Sequence, residues 1–246
     1  MSNLTEELCE LHVAIQLLLQ PTVSIEVGAW RAEFSQEIKS KLPDIDAWAF
    51  EANEHNYKAN VASAYKAGVH YTHLAVTNYV GMTRFMMQER TLDGRAYGKE
   101  IGNNSLLQRT EGNIVYHAPQ VGCTALDAFF IDSERVTATD RICLWIDVEG
   151  ASKEVLTASN MLLNQVQSVF IEVEHKPFWD HQWLFKDVDQ FLRERGFVPV
   201  AHDNQTEFQN NYLYLKTELI DHNEVDTLLT SWGKHAAIHQ TATAIY

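Results

Sequence analysis

The sequence predicts an α/β fold built on a mostly parallel sheet, and three observations carry that reading. Short β-branched or apolar runs alternate with amphipathic stretches, the pattern of strand–helix–strand crossovers. The chain has 246 residues, 46% of them hydrophobic, which suits one large domain with a substantial core better than two small ones. Only 11 glycines and 5 prolines occur, so low-complexity and linker-dominated architectures are excluded.

Leu4, Leu8, Leu11, Ile15, Leu18 and Leu19 recur at helical spacing, with Thr5, Glu6 and Glu7 in the first turn and Pro21 as the stop. Residues 1–21 therefore read as an amphipathic N-terminal helix. Its stripe suits either a cover for the sheet or a homodimer interface, and the cover is the preferred reading. Val23 to Val27 forms a strand stopped by Gly28, and a helix follows from about Glu33 to Leu42. Ala47 to Phe50 is a second strand ending at Glu51, Asn53 to Ala67 a second helix stopped by Gly68, and His70 to Val76 a third strand.

Six of the glycines, Gly81, Gly94, Gly98, Gly102, Gly112 and Gly122, then crowd into residues 81–122. This segment reads as a mobile insertion, a lid over the sheet. Strand–helix order resumes with Thr124 to Asp132 as helix, Arg141 to Val148 as strand, Lys153 to Leu163 as helix and Gln167 to Glu174 as strand. Asp187 to Arg195 reads as a helix, and Phe197 to His202 and Tyr212 to Lys216 as the last strands, so the sheet domain spans residues 22–220. Residues 221–246 read as a closing helix, Asn223 to Trp232, and a tail. His235 and His239 in that tail have helical spacing, but no third ligand completes a site and no metal centre is assigned.

With 19 basic against 33 acidic residues the formal charge is −14, which disfavours nucleic acid and anionic membranes as partners. Cys9, Cys123 and Cys143 share no CxxC spacing and suit a reduced, cytoplasmic compartment. The acidic start lacks the basic region of a secretory signal, and no apolar run approaches the ~18 residues of a membrane span. A soluble, cytoplasmic protein is expected.

Open α/β sheets bind ligands beyond the carboxyl ends of their strands, where strand order reverses. The first strand ends in Glu26-Val27-Gly28-Ala29-Trp30, where Gly28 permits a tight turn and close backbone approach. Glu51, at the end of the second strand, can accept hydrogen bonds from both hydroxyls of a ribose. The GxGxxG fingerprint is absent, because Gly28-Ala-Trp-Arg-Ala-Glu33 keeps one glycine of three, and there is no GxxxxGK[ST] loop. Nicotinamide, flavin and triphosphate ligands are thereby disfavoured. A nucleoside without a pyrophosphate remains, and S-adenosylmethionine is the common cofactor of that kind.

Ile25-Glu26-Val27-Gly28-Ala29, Ala49-Phe50-Glu51-Ala52-Asn53, Leu74-Ala75-Val76-Thr77-Asn78, Asn104-Ser105-Leu106, Thr124-Ala125-Leu126-Asp127 and Ile146-Asp147-Val148-Glu149-Gly150-Ala151 occur in this order. Over roughly residues 23–200 the chain resembles the FkbM-type family of S-adenosylmethionine-dependent methyltransferases. The resemblance implies a class I methyltransferase fold: a Rossmann-like three-layer sandwich with a mostly parallel seven-stranded sheet, here with an N-terminal helix and a Gly-rich insertion. It further implies O-methylation of a hydroxyl on a small molecule such as a sugar or polyketide-type product. Carried over, Glu26, Gly28, Ala29 and Trp30 sit at the methionine end of the cofactor, Glu51 and Ala52 at its ribose, and Ala75 near adenine. Asp147 faces the reacting centre, and the loop with Asn104 and Ser105 closes over it. Ala32, Trp145 and Ser152 depart from the family pattern of a glycine, a lysine and an acid at those positions.

Methyl transfer needs a base near the fourth and fifth strand ends. Asp147, Glu149, Glu172, Glu174 and His175 are available there. Asp147 and His175 lead, with Glu149 beside them: a neutral imidazole suits proton removal, and Asp147 suits orienting the substrate or binding a divalent ion. Phe178, Trp179 and Trp183 serve either as a substrate wall or as staples for the next helix. Two rival readings are a catalytically idle cofactor-binding or interaction domain and, behind it, a nucleoside-cofactor oxidoreductase.

Overall fold

A computed structural model describes residues 3–92, 94–96 and 102–243. The first half runs α1 (Asn3–Leu19), β1 (Val23–Val27), α2 (Glu33–Lys41), β2 (Asp46–Phe50), α3 (Glu54–Lys66), β3 (His70–Thr72), β4 (Ala75–Val76), β5 (Gly81–Arg84) and β6 (Met87–Thr91). The second half runs β7 (Ile114–His117), β8 (Gln120–Thr124), β9 (Ile142–Ile146), α4 (Ser152–Thr157), β10 (Val166–Glu174), α5 (Phe185–Arg193), β11 (Phe197–His202), β12 (Gln209–Lys216) and α6 (Asn223–Thr243). Seven strands form the central sheet in the order β3-β2-β1-β9-β10-β12-β11. All pair in parallel except β12, which is antiparallel to both neighbours. This is the expected class I methyltransferase sandwich.

The inner strands β1, β9 and β10 are nearly unbroken apolar runs because helices cover both faces. On one face Ile25, Val27, Leu144, Ile146, Val169 and Ile171 pack with Val155 and Leu156 of α4 and Val188 and Leu192 of α5. On the other, Ala47, Ala49 and Cys143 pack against Phe34 and Ile38 of α2 and Ala64 of α3. Further along that face, Phe170, Leu213 and Leu215 meet Leu8, Leu11 and Ile15 of α1 and Val225 of α6. The apolar stripe of α1 thus covers the sheet. No helix among the described residues is long and apolar enough to cross a membrane.

Several elements depart from the sequence reading. The expected third strand divides at Leu74, whose N–H turns back to the Thr72 carbonyl. Thereafter β3 stays in the large sheet, while β4 joins β8 and β5 in a three-stranded sheet. The segment read as a mobile insertion is built structure in its described part: β5 and β8 pair antiparallel, as do β6 and β7. Gly98 lies outside the described residues. The helix expected from Thr124 shortens to one wide turn, Asp127–Ile131, because Thr124 still belongs to β8 and pairs with Val76. The helix expected to reach Leu163 ends at Thr157, and the Asp127 carboxylate instead accepts the N–H groups of Met161 and Leu162 at 3.0 and 2.8 Å. The closing helix runs on to Thr243; residues 244–246 and the side chains of His235 and His239 lie outside the described part.

Candidate active site

Strand order reverses between β1 and β9, whose ends meet at the pair Val27 and Ile146. The next residues are therefore forced together. Asp147 N–H donates to the Val27 carbonyl at 2.9 Å, and Gly28 sits so close that a Cβ there would lie 1.6 Å from the Asp147 carbonyl oxygen. Gly28 also has φ +80°, so both crowding and backbone conformation demand glycine. The turn that follows is unusual, since Trp30 (φ 41°) and Ala32 (φ 54°) also adopt left-handed conformations. Ala32 holds that conformation as the residue preceding α2, in the position where the family pattern has a glycine.

Glu51 ties this turn to the second strand. Its Oε2 accepts the Trp30 N–H at 2.7 Å and its Oε1 accepts the Asn53 N–H at 2.6 Å. Burial nonetheless pushes its carboxyl up to about 7. Glu26, on β1 two residues before Gly28, accepts the Ser35 N–H at 2.8 Å and is likewise raised by burial to about 7.

The opposite wall is acidic. Asp147 shares a hydrogen bond with Glu172, and burial raises it to about 6. Glu149, held at φ 52° beside Gly150, is raised well above the ordinary carboxyl value by burial and then by the charges of Asp147 and Glu174. Glu172 is raised for the same reason, against one hydrogen bond from Gln209 Nε2 at 2.7 Å. Glu174 accepts from Gln182 Nε2 at 2.9 Å and reaches about 7. Carboxylate oxygens of Asp147, Glu149 and Glu172 lie within 4.8 Å of one another. Among the described residues no salt bridge reaches this cluster.

Two cavities flank the cluster and share Gly28, Trp30, Asp147, Glu172 and Gln205 as walls. One, about 210 Å³, is lined by Glu51, Ala52, Ala75, Asn104, Ser105 and Glu149 among others. The other, about 410 Å³, lies beneath α1 and is lined by Cys9, Val13, Ala29, Phe34, Trp145 and Phe170 together with Glu26. Sites for small organic ligands typically measure ~300–1,000 Å³. Ser105 fastens the insertion to the site by donating to the Glu149 carbonyl at 2.7 Å, and Asn104 Oδ1 accepts the Gln88 N–H at 2.9 Å.

His175 is not part of this assembly. It is exposed, lies 3.3 Å from the Tyr212 hydroxyl, stacks near Phe185 and lines neither cavity. It shares the face of Val169, Ile171 and Val173, whereas Asp147 and Glu172 share the face of Trp145 and Phe170. Nor do Phe178, Trp179 and Trp183 line either of these two cavities. Trp179 is 1% exposed and packs where a Cβ on Gly150 would stand, 2.3 Å away, while Trp183 packs against Phe191 of α5. Trp30 lines both cavities and remains 38% exposed. Sequence reasoning missed Trp145 and Phe170 as cavity walls, although each precedes a site carboxylate by two residues and so must share its face. Gln205, on the β11–β12 turn, offered no signal.

Comparison with solved structures finds similar folds of low identity. Methyltransferase FkbM from Methylobacillus flagellatus is 11% identical with a TM-score of 0.48, covering 79% of this chain and 43% of that one. This chain thus spans less than half of that protein's length. A precorrin-6y C5,15-methyltransferase from Geobacter metallireducens is 11% identical with a TM-score of 0.40, covering 79% of each chain. A ribosomal protein L11 methylase from Lactobacillus delbrueckii subsp. bulgaricus is 13% identical with a TM-score of 0.42, covering 86% of this chain and 79% of that one. Comparison with curated protein sequences finds no match. The family described as the methyltransferase FkbM domain matches residues 23–199, from the first residue of β1 into β11. That span includes Gly28, Glu51, Asp147 and the acidic cluster, and S-adenosylmethionine is the cofactor that goes with it. The chain belongs to the FkbM family of methyltransferases.

Proposed function

We propose that the protein transfers a methyl group from S-adenosylmethionine to a hydroxyl of a small molecule. The observation that carries this reading is the half-buried carboxylate cluster standing in the wall between two cavities, one polar and one lined by aromatic and aliphatic side chains. The polar cavity is assigned to the cofactor on the residues that line it. Glu51, with Ala52 beside it, offers acceptor oxygens to a ribose, Ala75 gives a low wall for adenine, and Gly28 and Trp30 bring backbone against the methionine end, while Ala29 lines the neighbouring cavity. Glu26 lies beneath that turn, and Asn104 and Ser105 close the far side.

When bound, S-adenosylmethionine supplies a methyl carbon whose bond to sulfur breaks as its bond to the acceptor oxygen forms, the electron pair passing to sulfur. The chain's own residues position the oxygen and take its proton. The acceptor enters beneath α1, its apolar body against Phe34, Trp145 and Phe170, its hydroxyl toward Asp147. The hydroxyl proton passes to the Asp147–Glu172 pair, whose raised carboxyl values suit proton removal near neutral pH better than an ordinary carboxylate would. Glu149 adds carboxyl oxygens to the wall of the polar cavity, acceptors that suit a sulfonium beside them.

The test is transfer of labelled methyl from S-adenosylmethionine to a panel of hydroxylated small molecules. An alkali-stable labelled ether is expected, with Asp147→Asn reducing the rate about 100-fold or more. Cofactor binding without transfer to any acceptor would favour an idle cofactor-binding domain instead.

A further inference from the structure

Gln205 stands where the two cavities meet, and its side chain carries donors that the protein does not use. It lines both cavities from the turn between β11 and β12. One buried carboxylate fixes that turn. Asp203, 0% exposed, accepts the Gln205 N–H at 3.3 Å and the Asn211 N–H at 2.8 Å through Oδ1, and Asn211 Nδ2 at 2.8 Å through Oδ2. Asn211 therefore turns its nitrogen toward both neighbours, and Gln205 meets that donor with Oε1 at 3.4 Å. The Gln205 amide is oriented by this contact, and its Nε2 has no hydrogen-bond partner among the described residues.

S-Adenosylmethionine ends in an amino acid whose carboxylate must be satisfied beside Asp147 and Glu172. The backbone of the glycine turn cannot do this. The Gly28 and Ala29 N–H groups donate to the Phe50 carbonyl at 3.0 and 2.9 Å, and the Trp30 N–H donates to Glu51 at 2.7 Å. Among the described residues Arg31 is the one cation that lines either cavity, and it borders only the cavity beneath α1. Its guanidinium pairs with Glu33 at 3.6 Å and stacks over Trp30 at 4.5 Å. Of the five residues common to both cavities, Gln205 is the one that brings a carboxamide.

We propose that the Gln205 side-chain amide binds the carboxylate of the cofactor's methionine arm, as a neutral donor in an otherwise acidic wall. The contact rests on the assignment of the polar cavity to S-adenosylmethionine. Both N–H groups of Nε2 are available to a carboxylate, which accepts strongly. Neutrality matters here. A cation at this place would hold Asp147 and Glu172 ionised and lower their affinity for a proton, whereas an amide leaves them able to take one.

The test is isothermal titration of the full chain with S-adenosylmethionine and with decarboxylated S-adenosylmethionine, which keeps the nucleoside, sulfonium and amine but lacks the carboxylate. Gln205→Ala is expected to weaken S-adenosylmethionine about tenfold or more and to leave the decarboxylated compound within about twofold. Gln205→Glu keeps the oxygen that Asn211 reaches and exchanges the donor end for a carboxyl oxygen, and it is expected to discriminate against S-adenosylmethionine at least as strongly. Equal weakening of both compounds by Gln205→Ala, or no weakening of either, would overturn the contact while leaving the cofactor reading intact. A wild-type chain that binds neither compound would overturn the cofactor reading and the contact with it. Should Gln205→Ala fail to fold, the same comparison in Gln205→Glu decides.

Discussion

Gly28 is the residue on which the two halves of the site meet. A methyl group there would stand 1.6 Å from a backbone oxygen of β9's end, at φ +80°, and neither side can yield without parting β1 from β9. Gly28→Ala is expected to cost about 3 kcal/mol or more in urea unfolding. His12 makes the opposite case. It is 0% exposed, both ring nitrogens lack hydrogen-bond partners among the described residues, and it stacks between Phe34 and Phe170. Phenylalanine fills that aromatic slot without a buried donor, so His12→Phe is expected to stabilise the protein by about 1–3 kcal/mol. A destabilised variant would mean that the imidazole has a polar partner. Gly28, Glu51 and Asp147 were legible in the sequence because each ends an apolar strand with a residue that the strand itself does not need. His175 misled for a geometric reason: strand periodicity shows which residues share a face, but only the placement of α1 shows which face holds the cavity.

At the scale of elements, α1 is both cover and cavity roof. Its stripe was readable from spacing, yet its anchor was not. Thr5 donates to Asp203 Oδ2 at 2.7 Å, and the backbone and side-chain nitrogens of Asn211 donate to the same fully buried carboxylate at 2.8 Å each. Asp203→Ala would strip a shared acceptor from donors on two segments, α1 and β12. It is expected to cost about 2–4 kcal/mol and to raise hydrogen exchange selectively in α1. Uniformly faster exchange throughout the sheet would show that the contact does not hold the roof as a local unit. The strands within the Gly-rich insertion were not legible for a related reason. Ile114–His117 and Gln120–Thr124 are short strands whose pairing partners lie across glycine turns, and a window along the chain sees the glycines before it sees the pairing.

For the whole molecule, the net charge of −14 has a local expression in the acids gathered at one sheet edge. Glu26 and Glu51 are raised from 4.5 to about 7, so between those values the folded chain holds more protons than the unfolded one, and stability falls as pH rises. His12, lowered from 6.5 to about 3, acts oppositely: stability falls as pH drops below 6.5. Asp147 and Glu174, raised to about 6 and about 7, act in the same sense as Glu26 and Glu51, so the carboxyls outweigh the one imidazole and the chain without ligands is expected to lose stability between pH 5 and pH 8. A melting temperature that rises over that interval would contradict this balance. The central claim is that this edge is built around S-adenosylmethionine, and isothermal titration of the cofactor into the wild-type chain and Glu51→Ala tests it most directly. One site per chain is predicted, weakened about tenfold or more when the ribose carboxylate is removed. A folded wild-type chain that binds neither S-adenosylmethionine nor S-adenosylhomocysteine at high micromolar concentration would contradict it.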